Sequence, residues 1–155
     1  MKTTEGNPMD ITQIMKPEYM TLEVHSTEKE EVIKQLIALL KNNGIVIASE
    51  PMFAAVMKRE SEFSTGIGFG IAIPHAQCEY VSQAAIAFGR SDKGVIWTGE
   101  ETTIANLIFL IAVPLTSQAQ HLQLLAHISR RLIHDEVRQQ ILLATDKQGI
   151  IEALS

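Results

Sequence analysis

The sequence has little cysteine: Cys78 is the single one among 155 residues, so no internal disulfide can form. This usage agrees with a reducing compartment, and we expect a cytoplasmic protein. Residues 1–10 are polar and lack the hydrophobic region of a secretory signal. Long hydrophobic runs are also missing, because Ile104–Leu115 includes Asn106 and is shorter than the ~20 residues that a membrane span needs.

Positive charge is scarce as well, since 13 Lys and Arg against 18 Asp and Glu leave a net charge of −5. This balance argues against nucleic acid as the main partner. Internal repeats, low-complexity stretches and linkers are absent, so the chain is expected to form a single domain. Its 46% hydrophobic and 20% charged residues are typical of a soluble globular protein with an ordinary core.

Caps and apolar periodicity predict several helices. Thr27 and Glu30 have the spacing of a capping box that opens a helix. Apolar residues then recur at helical spacing from Val32 to Leu40, and Asn43-Gly44 is expected to end the helix. Later helices are predicted from Ser49–Pro51 onward, at 118–133 after a Thr116 or Ser117 cap, at 135–143, and from Asp146 to Leu154.

Short apolar segments between the helices predict β-strands. These segments are Gly70–Ile73, Ala84–Phe88 and Leu107–Val113. Asp92-Lys93-Gly94 is expected to form a turn between the last two. Strands mixed with helices in one chain of this size favour an α/β (mixed α+β) sandwich.

A glycine-rich segment at 64–75 ends in a histidine. Its three alternate glycines let the backbone come close to a ligand, and clustered N–H groups and hydroxyls suit a phosphate. Pro74 is expected to end the strand, and His75 follows with an imidazole that titrates near neutral pH and is a competent nucleophile. We therefore predict that His75 receives a phosphoryl group. The candidate phosphate-binding residues are Ser64, Thr65, Gly66 and Gly68.

Arg59 falls seven residues after Met52 on the apolar stripe of its predicted helix. An arginine that continues an apolar face needs an anion, and its planar fork matches phosphate oxygens. The alternative is an arginine that extends into solvent at a helix end. Glu60 either orients Arg59 or is a solvated carboxylate, and Ser64 and Thr65 either bind phosphate or cap a turn.

Arg59-Glu60, followed by STGIGFGIAIPHA at 64–76, resembles the EIIA domain of the fructose–mannitol class of the sugar phosphotransferase system. The resemblance runs from about Asp10 to the C-terminus and includes the Ile111–Pro114 strand end and His121 with its Leu-rich helix. Residues 1–9 are expected to be an extension outside the family pattern. The resemblance implies a mixed β-sheet flanked by helices on both sides.

The resemblance also implies a function, that of a phosphohistidine phosphocarrier. A phosphorylated HPr or HPr-like domain would donate to His75, with Nε2 as the attacking atom. His75 would then phosphorylate a cysteine of an EIIB protein or domain, for uptake of fructose, mannitol or a related sugar. The membrane is involved only indirectly, through EIIC, and no metal or organic cofactor is implied.

The other histidines receive different interpretations. His121 matches the family's second active-site histidine, which would bond the phosphoryl group on His75; the alternative is a capping or half-buried histidine. His127 and His134 are predicted to belong to a solvated basic helix face, and His25 is given no role.

Two further features carry simpler predictions. Cys78 follows His75 by three residues, but one Cys and one His are too few for a zinc site, so no metal site is predicted. Ile67 and Phe69 are either core or docking surface, and core is favoured.

Three rival functions remain. A regulatory EIIA of the nitrogen-related type would use the same His75 chemistry to control partner proteins, and an EIIA-like binding module would have lost phosphorylation. An unrelated phosphatase or nucleotide-binding enzyme is disfavoured, because the segment lacks the Gly-Lys-Ser/Thr ending of a P-loop. Its glycine spacing also departs from the dinucleotide-binding fingerprint.

Overall fold

Two long strands form the centre of the fold. The computed structural model describes residues 10–97 and 103–155, and there Ala85–Trp97 (β5) pairs antiparallel with Thr103–Val113 (β6). Both strands are rich in apolar residues because helices cover much of both faces. Within the described residues, the shorter strands of the sheet are Met20–Thr21 (β1), Gly66–Gly68 (β2), Ile71–Ala72 (β3) and His75–Gln77 (β4).

The sheet is mixed and has the strand order β1-β5-β6-β3-β2, with β4 also paired to β6. β1 is parallel to β5, β3 and β4 are parallel to β6, and β2 is antiparallel to β3. Ile71 pairs with Leu107 and His75 with Ile111, so β3 and β4 follow one another along the same edge of β6. This register places His75 beside the second half of a buried central strand.

Helices lie on both faces of the sheet, as the resemblance implied. The α-helices in the described ranges are Ile11–Ile14 (α1), Lys29–Asn42 (α2), Ser49–Glu62 (α3), Gln118–Leu132 (α4), Asp135–Leu143 (α5) and Lys147–Leu154 (α6), and a short 3₁₀ helix lies at Pro17–Tyr19. Two clusters of buried apolar side chains result. Leu36, Met52 and Trp97 belong to the α2–α3 core on one face, and Phe88, Phe109 and Leu124 belong to the α4–α6 core on the other. None of the helices among the described residues is long and apolar enough to cross a membrane.

Most helix boundaries agree with the prediction, but the capping box at Thr27 is wrong. The helix begins at Lys29 with Glu28 as its N-cap, because the preceding chain is held against β5: Ile96 N–H donates to the Thr27 carbonyl at 2.9 Å. The end at Asn43 and the Asp146 cap are confirmed. Asp146 accepts the Gly149 N–H at 2.9 Å.

The predicted turn at Asp92–Gly94 is also wrong, because β5 continues through it. The register against β6 shifts between Arg90 and Val95, so the segment is an irregularity within the strand. Ser91 Oγ accepts the Gly94 N–H at 2.9 Å, which stabilises it.

The predicted strand Gly70–Ile73 corresponds to only part of what forms. The earlier glycines make β2, and a new strand, β4, starts at His75 directly after Pro74. The extension predicted at residues 1–9 lies outside the described residues.

Candidate active site

The glycine segment, predicted to be a phosphate-binding loop, forms a short β-hairpin. Gly66 pairs with Ala72 and Gly68 with Ile71, and the chain reverses at Phe69, whose φ is 57°, and Gly70, whose φ is 77°. Its backbone is therefore ordered by pairing between β2 and β3.

The prediction that Ile67 and Phe69 are core residues is wrong. Ile67 is 51% exposed and Phe69 is 78% exposed, because β2 lies at the edge of the sheet and the hairpin tip extends beyond it. The Arg138 guanidinium of α5 lies over the Phe69 ring, 4.6 Å from its centroid.

His75, the first residue of β4, is buried, with 7% of its surface exposed. Its Nδ1 lies 2.8 Å from the Ile73 carbonyl oxygen. Because a carbonyl can only accept, Nδ1 carries the proton and Nε2 has the free lone pair of the neutral ring. This is the protonation state that a nucleophilic Nε2 requires.

His121 lies in the first turns of α4, beside His75. The two ring centroids are 4.9 Å apart and the planes are inclined by 50°. Its Nε2 is buried and has no hydrogen-bond partner within the described residues. A buried polar atom without a partner is rare, and here it lies on a ring next to the candidate acceptor.

Burial lowers the pKa of both histidine rings and so favours their neutral forms. Burial is the main cause that lowers the pKa of His75; Arg59 lowers it further, whereas the Ile73 bond and Glu60 raise it. Burial lowers the pKa of His121 too, followed by the effects of His75 and Arg59. Arg59 therefore acts electrostatically on both histidines, and the structure brings the three residues together.

Arg59 lies at the edge of the buried stripe of α3. The buried positions of α3 are Met52, Val56 and Glu60, and Arg59, two turns after Met52, is half-buried as Ala55 is. Arg59 is half-buried near the end of α3, and its Nη1 donates to the Phe63 carbonyl at 3.0 Å.

Glu60, predicted either to orient Arg59 or to be a solvated carboxylate, is 6% exposed and accepts four bonds, so the solvated alternative is wrong. Its Oε2 accepts from Thr65 N–H at 3.1 Å, Trp97 Nε1 at 3.1 Å and Lys29 Nζ at 3.3 Å. Its Oε1 accepts from the Thr65 hydroxyl. The spacing of four residues from Met52 through Val56 was the sequence signal for this burial.

The predicted phosphate-binding residues have partners inside the protein. Ser64 Oγ accepts the Gly66 N–H at 3.2 Å, and the Thr65 hydroxyl donates to Glu60. A Cβ on Gly66 would lie 2.9 Å from Trp97 Cδ1, so this glycine makes room for the indole. These contacts build the turn between α3 and the hairpin.

His127 is not a solvated residue as predicted. Its Nε2 donates to the Leu154 carbonyl at 2.8 Å, and Arg131 Nη2 donates to the Ala153 carbonyl at 2.9 Å. These two side chains of α4 bind the end of α6. His134 is exposed and is the N-cap of α5. No group of three or more His, Cys, Asp or Glu side chains in the described ranges could hold a metal ion.

The comparisons with known proteins agree with this architecture. The chain is 38% identical to the fructose-specific EIIA component of the phosphotransferase system of Haloferax volcanii, over 94% of this chain and 95% of that protein. It is 37% identical to the fructose-specific EIIABC component of Bacillus subtilis, covering 95% of this chain and 23% of that protein.

Solved structures of IIA proteins from phosphotransferase systems have the same fold as this chain. Enzyme IIA of the Escherichia coli mannitol system, solved in complex with phosphorylated enzyme IIB, has a TM-score of 0.77 and 26% identity, covering 91% of this chain and 98% of that one. The nitrogen regulatory protein IIA-Ntr of Neisseria meningitidis has a TM-score of 0.85 at 24% identity, covering 94% and 99%, and shows the shared fold.

The mixed sheet between two helical layers is thus the fold of EIIA components of phosphotransferase systems. The family model for the phosphoenolpyruvate-dependent sugar phosphotransferase system, EIIA 2, matches residues 13–155, and the chain belongs to this family of phosphocarriers.

Proposed function

We propose that His75 Nε2 accepts a phosphoryl group from the phosphohistidine of HPr or an HPr-like domain and passes it to a cysteine of an EIIB protein or domain. The observation that carries this proposal is the Nδ1 bond to the Ile73 carbonyl, which leaves Nε2 unprotonated. The identity to the fructose-specific component of Haloferax volcanii supports uptake of fructose or a related sugar. The reactions take place in the cytoplasm, and the sugar passes through EIIC.

In the forward step the lone pair of Nε2 forms a bond to phosphorus as the phosphorus–nitrogen bond to the donor histidine breaks. The donor ring keeps the electron pair of that bond, and no redox change occurs. Arg59 stabilises the charge that is spread over the phosphoryl oxygens, which is the main requirement of such a transfer. The neutral His121 donates from Nε2 to one of these oxygens and so acquires the partner that this buried atom lacks in the described chain.

The second transfer returns His75 to its starting state. A cysteine thiolate of EIIB attacks the phosphorus, the bond to Nε2 breaks, and the electron pair returns to the ring. The mannitol enzyme IIA, solved in complex with phosphorylated enzyme IIB, supports this choice of partner. Ser64, Thr65, Gly66 and Gly68, first considered as phosphate ligands, here build the turn and hairpin that hold this site.

The test is to incubate the protein with phosphoenolpyruvate, enzyme I and HPr and to map acid-labile phosphate by mass spectrometry. We expect one phosphate, on His75, and none in His75→Gln. The matched control is His134→Gln, an exposed histidine that should leave labelling unchanged. Phosphate at another residue, or none while a reference EIIA is labelled in the same mixture, would contradict the proposal. Labelling without transfer to any EIIB would favour the regulatory alternative.

The role of Arg59 is tested in the same assay. Arg59→Ala should keep the fold and slow phosphorylation of His75 by roughly 10²-fold or more, because a charge that stabilises the transferring group is lost. Arg130→Ala, which removes an exposed arginine of α4, is the control. Equal rates for the two variants would return Arg59 to a structural role.

A further inference from the structure

A continuous series of hydrogen bonds connects the Glu60 carboxylate to the ring of His75. Thr65 N–H donates to Glu60 Oε2 at 3.1 Å, and the carbonyl of the same Thr65 accepts the Ile73 N–H at 3.0 Å. The Ile73 carbonyl in turn accepts from His75 Nδ1 at 2.8 Å. The bond that places the proton on Nδ1 is therefore the last of three bonds that start at a buried carboxylate.

The Glu60 carboxylate, at which this series starts, is fixed by bonds to several parts of the fold. Besides Thr65, the carboxylate accepts from Trp97 Nε1 of β5 and from Lys29 Nζ at the beginning of α2. Trp97 is fully buried, and the Glu60 side chain is 1% exposed in its ion pair with Lys29. Bonds to an ionised acceptor inside a protein are stronger than neutral ones, so Glu60 connects α2, α3 and β5 to Thr65.

The end of the series lies beside Pro74, which contributes only its carbonyl to the ladder, where it accepts the Ile111 N–H at 2.9 Å. Pro74 has no N–H, and the β3 pairing with β6 ends at Ala72, one residue before Ile73. Among the backbone bonds of the described chain, Ile73 is held through its N–H by Thr65. A displacement of Thr65 would therefore shift the carbonyl that orients the His75 ring.

We infer that Glu60 is a positioning residue for phosphoryl transfer: by anchoring Thr65 it fixes the Ile73 carbonyl, which keeps the proton on Nδ1 and presents Nε2 of His75 to the donor. The inference rests on the proposed function of His75. It assigns Glu60 no contact with the phosphoryl group, and the carboxylate acts through Thr65 and Ile73.

The direct test is the tautomer of His75 in protein labelled with ¹⁵N-histidine, read from the nitrogen chemical shifts of the neutral ring. In the wild type we expect the Nδ1–H form to predominate. Glu60→Gln removes the charge of the carboxylate and replaces one acceptor oxygen by an NH₂ group, so the bonds that anchor Thr65 weaken and the Nε2–H form should become clearly populated. The matched control is Glu62→Gln, which removes a carboxylate from the exposed end of the same helix and should leave the shifts unchanged.

A second variant covers the case in which Glu60→Gln does not fold. Thr65→Val removes the hydroxyl bond to Glu60 and keeps the backbone N–H, so it weakens the anchor with little change in volume. We expect a smaller change of the His75 tautomer in the same direction. Wild-type nitrogen shifts in every folded variant of Glu60 and Thr65 would overturn the inference.

Kinetics separate this inference from the proposed function. With phospho-HPr as donor, Glu60→Gln should lower kcat by roughly tenfold or more, with a KM close to the wild-type value, because orientation is lost and the docking surface is kept. If the tautomer changes but wild-type His75 accepts no phosphate, the proposed function fails and the structural role of Glu60 stands. If His75 is phosphorylated normally and Glu60→Gln changes neither tautomer nor kcat, the inference fails and the proposed function stands.

Discussion

The chemistry of His75 depends on which of its nitrogens carries the proton, and a backbone atom two residues away decides this. Ile73 contributes its carbonyl rather than its side chain, so no residue type in the sequence identifies this contact. The residue types of His75, His121 and Arg59 were sufficient to predict them as site residues, and the structure brings these three together. The buried role of Glu60 was not predicted, because its partner Trp97 is distant in sequence.

The lowered pKa values of the two histidines predict how stability depends on pH. Burial lowers the pKa of both below the ordinary 6.5; the Ile73 bond and Glu60 partly oppose this at His75, whereas His75 and then Arg59 lower the pKa of His121 further, and Arg59 also lowers that of His75. Near and below pH 6.5 the unfolded chain thus binds more protons than the native one, so these two groups make stability fall as pH decreases through 6.5. The free energy of unfolding, measured in urea from pH 7.5 to 5.5, should show this decrease.

The control for this pH dependence is the double variant His75→Gln/His121→Gln. It keeps all other titrating groups, so subtraction of its pH profile isolates the contribution of the two rings. We expect a shallower slope below pH 6.5 in the double variant. An identical slope would mean that the rings titrate alike in the folded and unfolded chains.

At the scale of elements, the alternate glycines before His75 indicated where the candidate site lies but not that the segment forms the hairpin of β2 and β3. Alternate glycines suggested a loop that approaches a phosphate, but β2 pairs with β3 and β3 pairs with β6, so the segment extends the sheet. Such pairing depends on β6, more than 30 residues further along the chain, and is not encoded locally. The helices, whose stripes and end signals are local, were predicted more closely.

Gly66 tests whether this segment serves packing. A Cβ there would lie 2.9 Å from Trp97 Cδ1 and 3.0 Å from Thr103 Oγ1, so Gly66→Ala should displace the indole that donates to Glu60. We expect a loss of about 1–3 kcal/mol in unfolding free energy, as for other overpacked sites. The emission spectrum of Trp97, the single tryptophan, should change at the same time.

The matched substitution is Gly68→Ala in the same strand. Its Cβ would meet nothing within 4 Å, although a φ of 89° makes the alanine strained by about 1–2 kcal/mol. The two variants should therefore have similar stability losses, but only Gly66→Ala should change the Trp97 emission. Unchanged emission in Gly66→Ala would exclude the packing role.

At the scale of the whole molecule, the central strands contribute side chains to both cores in alternation. Phe88 and Phe109 pack in the α4–α6 core with their ring centroids 4.9 Å apart, while the neighbouring Ala87 and Leu110 face the α2–α3 core. Because β5 and β6 form one wall of each core, unfolding of one core would also disrupt the packing of the other. The site lies where both layers meet the sheet, with Arg59 from α3 and His121 from α4, so its geometry requires both cores.

This shared sheet predicts that the protein unfolds as one cooperative unit. Leu124→Ala in the α4–α6 core should cost about 2–5 kcal/mol, since Leu124 is fully buried. Trp97 belongs to the opposite core, yet its fluorescence transition in urea should shift as far as the far-ultraviolet circular dichroism transition.

The control for Leu124→Ala is Leu122→Ala on the same helix, where a leucine that is 58% exposed should cost less than about 0.5 kcal/mol. It separates the loss of buried packing from a change in helix propensity. If the Trp97 transition of Leu124→Ala stayed at the wild-type urea concentration while the dichroism transition moved, the layers would unfold separately. His121 could then leave the site while Arg59 stayed in place, and the proposed contacts of both residues with the phosphoryl group would no longer belong to a single folded state.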